Sequence, residues 1–413
     1  MLKTKYWCAV LVLFVSLTAF GQKNAALAPT PPMGWNSWNW FGKNDINEKL
    51  IKKIIDTMVK EGLRDAGYNY VIIDGGWRDT KLGPNGELLA HPVKFPHGIK
   101  PLADYAHSKG MKLGVHVVPG THDCAGDAVG GLGREEVHLK QFVEWGLDFI
   151  KIDRCQYEVE GCGTCSKNDG WNEQNIKEVY EKWGRLLKNS GRDILYSISA
   201  YEYRDWYPAT CNMARTTYDI RSRIHKGGVD FVNPLKIKKP HLSVMDIVEE
   251  NNKAAEHAGN GYWNDPDMMV TGVQGLSDDE QESHFALWCM MSAPLFLGND
   301  PRFMDQLEKE LILNKDLIAI NQEPTEQGRI IKRAGNTQVW VKKMKDGTRA
   351  LLFLNLDPTC QQEISIDLKS LGLNKAVKVK DVIGHQELGV FKDKITMKVN
   401  IHQSKVMLVT NQE

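Results

Sequence analysis

LDFIKIDRC, residues 147–155, carries two charges inside what otherwise reads as a buried strand. Phe149, Ile150 and Ile152 are apolar, yet Lys151 and Asp153 interrupt them and a cysteine follows two residues on. Burying charge is costly unless it is paired or used. Strand alternation puts Phe149, Lys151 and Asp153 on one face and Ile150 and Ile152 on the other. In a barrel one face turns to the interior and the other to the surrounding helices. Asp153 is then an inward acid at the C-terminal end of a strand, where barrel enzymes carry their catalytic groups. Lys151 lies one layer below it.

Reading outward, the same design recurs as short apolar runs with a polar residue at the C-terminal end. YNYVIIDGGW, MKLGVHVVPG, DILYSISA, CNMARTTYD, GYWNDPDMM, APLFLGND and LIAINQEP follow it, and MGWNSW stands near the start. Between many of them lie helix-period segments: NEKLIKKIIDTMVKEGL, IKPLADYAHSKG, EEVHLKQFVEWG and NIKEVYEKWGRLLKNS. Repeated strand-then-helix order implies parallel strands joined by crossovers. Residues 22–326 therefore read as a (β/α)8 barrel rather than an open doubly wound sheet, and no Gly-rich phosphate fingerprint follows the first strand. From Gly328 onward alternating strands take over (QVWVKKM, ALLFLNL, EISIDL, KVKDVI, KITMKVNIH, KVMLVT), separated by turns such as KDGT. Residues 327–413 read as a C-terminal antiparallel β-sandwich domain with no acid or histidine cluster.

The 413 residues balance 52 basic against 52 acidic side chains. Nucleic acid or an acidic membrane as partner would favour a basic excess, so neither is expected. Lys3 and Lys5 precede the apolar run Trp7–Phe20, which is short for a membrane span, and Ala19 and Gly21 are small. Residues 1–21 thus read as a signal peptide, and the protein as exported to a periplasm or the outside, without a membrane anchor. Cys8 falls inside that segment, leaving seven cysteines. Export permits disulfides, and the odd number leaves at least one thiol. Cys162 and Cys165, in CGTC, lack a second CxxC or paired histidines, so a loop-stapling disulfide is expected there.

Other strand ends repeat the charge pattern. Ile72 and Asp74 share a face, with Gly75 and Gly76 next; Arg215 and Asp219 follow in MARTTYD; Asp265 and Asp267 flank Pro266. Any one of these acids alone reads as a turn or helix cap, Lys151 with Asp153 as a structural ion pair, and His116 as a core histidine. Their gathering at matching strand ends is harder to explain structurally. Paired carboxylates with aromatic residues nearby suggest glycoside hydrolysis, in which one acid attacks or activates and the other protonates the leaving oxygen. No histidine cluster has metal-ligand spacing, and no Gly-x-Ser-x-Gly elbow occurs.

Together PPMGWNSWN, YVIIDGGW, FPHGIKPLADYAHSKGMKLGV, CAG, WGLDFIKIDRC, RTTYDI, GYWNDPDMM, APLFLGND and AINQEP resemble glycoside hydrolase family 27 over residues 29–326, in order. That family holds α-galactosidases and α-N-acetylgalactosaminidases. The resemblance implies retaining double displacement without a cofactor, on a terminal galactoside-like sugar. It makes Asp153 the nucleophile and Asp219 the general acid/base. Trp38 would stack on the sugar, Asp74, Lys151 and Arg215 would bind its hydroxyls, and Asp267 would line the site. Cys124 and Cys155 would form a disulfide beside the pocket. A retaining pair is expected about 5–5.5 Å apart.

Departures concern the sugar rather than the reaction. The family's galactosidases carry an Asp-Asp pair on the C4 and C6 side of the sugar; here it is Asp74-Gly75. The segment that reads the C2 substituent is Ser199-Ala200-Tyr201, lacking both the acid of galactosidases and the serine of acetylgalactosaminidases. Ser199 also replaces the cysteine expected opposite Cys211, so Cys211 is expected as a thiol. His116 stands where a tyrosine is expected, and it and Tyr201 are taken as substrate-binding candidates. Hydroxyl-reading sites discriminate strongly when a partner is lost. The expectation is an α-D-galactoside hydrolase. The alternatives are the same mechanism on a β-L-arabinopyranoside, an α-N-acetylgalactosaminide or a modified galactose, or a sugar-binding protein without turnover.

Overall fold

The computed structural model describes residues 24–162, 166–220, 228–233 and 242–412; the signal segment 1–21 and Cys165 lie outside them. Eight strands form one sheet whose neighbours all pair in parallel: Met33–Asn36, Tyr70–Ile73, Lys112–Val117, Phe149–Asp153, Leu195–Ser199, Met213–Arg215, Trp263–Asp265 and Leu295–Leu297. The first strand pairs with both the second and the eighth. A parallel bridge between Met269 and Leu297 joins the seventh strand's end to the eighth, closing the barrel.

Alternation along these strands separates two apolar layers. Phe149 packs inside with Tyr70, Ile72, Leu195, Met213, Trp263 and Phe296. Ile150 and Ile152 face outward into the larger core shared with the helices. The outer helices follow from stripes at helical spacing. Helix Glu173–Lys188 buries Ile176, Val179, Tyr180, Trp183 and Leu187, and a capping box from Asn172 satisfies its first turn. Helix Glu48–Lys60 buries Leu50, Ile51, Ile54, Ile55 and Met58 on one side.

LIAINQEP is not a strand. Residues Lys315–Asn321 form a helix, capped by the Asn314 side chain, with Leu317 and Ile320 buried three positions apart. Asp316 and Asn314 at its start favour the helical turn, and so short an apolar run fits either period. Helix Asp278–Met290 buries nine residues from Gln281 to Met290 and so has no polar face. It lies against strands Thr337–Lys343, Arg349–Asn355 and Ser404–Asn411 of the C-terminal region, which explains that burial. There a six-stranded antiparallel sheet and a two-stranded one enclose Val339, Leu351, Phe353, Ile364, Ile366, Ile395 and Met407. Strands Arg329–Ala334 and Gln386–Phe391, not expected from the sequence, extend the larger sheet at its two edges.

Candidate active site

The C-terminal ends of the barrel strands surround a cavity of about 170 Å³. Trp38, Asp74, His116, Lys151, Asp153, Arg215, Asp219 and Asp267 all line it. Lys151 and Asp153 reach it from the inward face of Phe149–Asp153, Asp74 from just after the second strand, and His116 from the third. Tyr201 does not line it but stands behind Asp153.

Asp153 has a partner for each carboxylate oxygen. The Tyr201 hydroxyl donates to Oδ1 at 2.7 Å, and His116 Nε2 lies 3.2 Å from Oδ2. Burial alone would raise the Asp153 pKa, but the His116 hydrogen bond, the Lys151 and His116 charges and the Tyr201 hydrogen bond outweigh it and bring it down to about 2. Tyr201 reaches this position through a backbone φ of +67°, unusual for a non-glycine residue, and its ring stacks on Tyr218 at 5.4 Å.

Below the nucleophile candidate, Lys151 Nζ donates to Asp74 Oδ2 at 2.9 Å, and Asn36 Nδ2 donates to the same oxygen at 2.9 Å. The Gly75 N–H donates to Asp74 Oδ1 at 2.8 Å. Burial opposes ionisation of Asp74, and the charges of Lys151 and His116 with these donors reverse that, holding its pKa well below the usual carboxylate range. The charged Lys151 likewise gains more from Asp74 and Asp153 than burial takes away. The two charges that interrupt the fourth strand are therefore both compensated.

Across the cavity Arg215 bridges two acids: Nη1 lies 3.1 Å from Asp219 Oδ1 and Nη2 lies 3.1 Å from Asp267 Oδ2. Asp219 stands at the rim with 46% of its side chain exposed. Asp267 is buried at φ +98°, held by N–H donors from Ile220 and Met268, each at 2.8 Å. Asp265 accepts the Asp267 N–H at 2.9 Å. Burial raises the pKa of both Asp265 and Asp267, with Arg215 opposing it in each case. Asp219 and Asp265 add their negative charge against ionisation of Asp267.

The glycines after Asp74 shape the near wall. Gly76 has φ +98°, and a Cβ there would meet the Lys43 carbonyl oxygen at 2.2 Å. A Cβ on Gly75 would come within 3.2 Å of the Trp38 ring. Trp38 thus leans into the space beside the missing second acid. Cys124 and Cys155 form a disulfide, and Cys124 lines the cavity. Cys211 remains a thiol, its Sγ 3.4 Å from the Tyr207 carbonyl oxygen. His116, Asp153 and Cys155 bring possible metal-binding atoms within 4.8 Å of one another, but the Cys155 sulfur is committed to the disulfide, so two ligands remain.

Sequence reasoning missed four contributors. Asn36 and Ser37 hold Asp74, the latter by accepting its backbone N–H at 3.0 Å. Arg78 and Asp123 both line the cavity. The only sequence signal for Arg78 was a charge directly after an aromatic in GGWRD.

Residues 30–323 match the family model described as alpha galactosidase A, and residues 334–409 match that of the alpha galactosidase C-terminal beta sandwich domain. The chain is 36% identical over 396 residues to alpha-galactosidase 2 of Arabidopsis thaliana, covering 94% of this chain and 92% of that one. It is 34% identical over 364 residues to alpha-galactosidase A of Homo sapiens, covering 84% and 80%. The crystal structure of alpha-galactosidase I from Mortierella vinacea superposes with a TM-score of 0.85 at 29% identity, over 94% of this chain and 99% of that one. With a family model matched over most of its length and relatives of this identity along nearly the whole chain, the protein belongs to the α-galactosidase family, glycoside hydrolase family 27, and is a glycoside hydrolase.

Proposed function

We propose that this chain is an exported, exo-acting retaining glycosidase that removes terminal α-D-galactoside-type sugars by double displacement. The observation that carries the reading is a buried, ionised carboxylate, Asp153, sharing one small cavity with the half-exposed Asp219. In the first step an Asp153 oxygen bonds to the anomeric carbon as the glycosidic C–O bond breaks, and Asp219 gives its proton to the departing oxygen. In the second step Asp219 takes a proton from water, the water oxygen bonds to the anomeric carbon, and Asp153 leaves as a carboxylate. Two inversions give net retention.

Asp219 must hold a proton at the first step. Arg215 contacts Asp219 and Asp267 at 3.1 Å each, and burial raises the pKa of Asp265 and Asp267 against the Arg215 and Lys151 charges. Export is supported by the N-terminal sequence and by the Cys124–Cys155 disulfide, which persists in oxidising compartments. A second reading, a β-L-arabinopyranoside, is favoured by the lean of Trp38 toward Gly75, because that sugar has no C6 group to place on this side.

The test is a panel of aryl α-D-galactosides, α-N-acetylgalactosaminides and β-L-arabinopyranosides, with the first-formed anomer followed by proton NMR. Retention is expected, with Asp153→Ala inactive and regaining turnover with azide, which would attack from the face the carboxylate has vacated. An inverted product would sink the double displacement. Turnover in Asp153→Ala without azide would remove Asp153 from its role.

A further inference from the structure

We infer that the glycone carries an anionic substituent, a carboxylate or a sulfate ester, and that the Arg78 guanidinium holds it. This rests on reading the cavity as the glycone site and specifies what a sugar modified on the Gly75 side would bear. Arg78 lines the same cavity as Asp74 and Asp153, with its side chain only 4% exposed. Its Nε and Nη1 have no hydrogen-bond partner among the described residues. Its Nη2 reaches Asp123 only at 3.5 Å, long for a charge-assisted pair. The Trp77 ring, 5.9 Å away, supports the guanidinium without using any donor.

The other deep cations are already engaged. Lys151 donates to Asp74 at 2.9 Å, and Arg215 contacts Asp219 and Asp267 at 3.1 Å each. Of these three Arg78 is the most weakly engaged: two of its nitrogens lack a partner among the described residues, against Nε alone in Arg215, and its nearest carboxylate lies at 3.5 Å. A buried guanidinium whose hydrogen bonds are unmade is destabilising, and an oxyanion supplies the matching acceptors. Because Nη2 is held loosely, a small turn of the planar group would present a pair of donors to two oxygens of a carboxylate or sulfate. Gly75, three residues earlier, adds no carboxylate to repel such a group. Lys43, which also lines the cavity, adds positive charge on the same side, its backbone packed on Gly76.

The experiment measures kcat/KM of the full chain on 4-nitrophenyl α-D-galactopyranoside, its 6-sulfate and the corresponding galacturonide. One charged substrate is expected to exceed the neutral one by about tenfold or more, and which one does so separates sulfate from carboxylate. Arg78→Gln should lower that charged-to-neutral ratio about a hundredfold, the scale of losing one buried charge-assisted pair. Arg78→Lys should restore part of it, which a purely structural role for the Asp123 contact would not. Calorimetry with free D-galacturonate, D-galactose 6-sulfate and D-galactose runs in parallel on the wild-type protein. Tighter binding of one anionic sugar in the absence of any turnover would refute the hydrolytic role while upholding the anion site. Preference for the neutral sugar in both turnover and binding would overturn the inference, as would an unchanged ratio in Arg78→Gln.

Discussion

Replacing Tyr201 by phenylalanine isolates one hydrogen bond on the nucleophile. The phenol donates to Asp153 Oδ1 at 2.7 Å, and Phe retains the ring that stacks on Tyr218. A hydrogen bond to a charged group contributes about 1.5–3 kcal/mol. His116 at 3.2 Å and the Lys151 charge stay behind, so the lower end of that range applies. Near 1.4 kcal/mol the expected effect is about tenfold.

The two chemical steps feel this loss differently. Asp153 gives up its negative charge when it bonds to the anomeric carbon and regains it when it leaves. A donor that favours the anion therefore hinders glycosylation slightly and helps deglycosylation. Tyr201→Phe should lower kcat about tenfold on an activated aryl glycoside, where deglycosylation limits turnover, and lower KM in parallel. The value of kcat/KM should change little. Stopped-flow release of nitrophenol should show a larger burst than wild type. A raised KM with unchanged kcat would refute the reasoning and make Tyr201 a contact for the sugar alone.

Lys151→Met should destabilise the fold by about 3–5 kcal/mol, because Asp74 is left charged in the interior without its cation. Urea unfolding would show it, with a smaller loss at pH 4 than at pH 7, since Asp74 can then take a proton. Cys124→Ser with Cys155→Ser opens a loop of sequence separation 31 and should cost about 3–4 kcal/mol by the chain-entropy relation, again read by urea. Asp153 has a folded pKa near 2, below its unfolded value of 3.8, so its stabilising contribution is complete above that value and lost as pH falls through 2. An acid limb of kcat/KM between pH 4 and 6 would thus come from another group. Asp267 has the opposite sign: its folded pKa is raised, so native protein binds more protons than unfolded chain and stability falls as pH rises above the unfolded value. Asp267→Asn should gain stability relative to wild type between pH 4 and pH 7; a parallel pH profile would contradict the burial argument.

Period-two alternation made the fourth strand legible. It fixes which of Phe149, Ile150, Lys151, Ile152 and Asp153 face inward whatever the rest of the chain does, and the structure divides them in that way. Helix Asp278–Met290 left no such trace, because a helix covered on all sides has no polar stripe to set its period. Residues 315–321 failed for the reverse reason: seven residues with three buried positions satisfy a strand or a helix equally, and the Asn314 cap decides. The Tyr201 contact was illegible because it depends on a left-handed backbone at a residue that rarely adopts it. Arg78 was missed because its burial comes from the cavity wall and not from any pattern in its own segment.

The cavity places two opposite proton environments within one small volume. On one side Asp153 has two donors and a nearby lysine, more compensation than one carboxylate requires, and it stays ionised. On the other, Arg215 faces Asp219, Asp265 and Asp267, and burial raises the pKa of Asp265 and Asp267. Double displacement calls for an unprotonated attacker beside a protonated donor at the same pH, and the surroundings of Asp153 supply the first of these. The low pKa of Asp153 is set by His116, Lys151 and Tyr201. Gly75 and Arg78, which line the cavity, are not among them and can alter what binds while leaving those contacts to Asp153 in place, whereas Ala200 lies in the core and does not line the cavity. On the proposed reading, changes at Gly75 and Arg78 should move kcat/KM between substrates while each product keeps the anomeric configuration of its substrate.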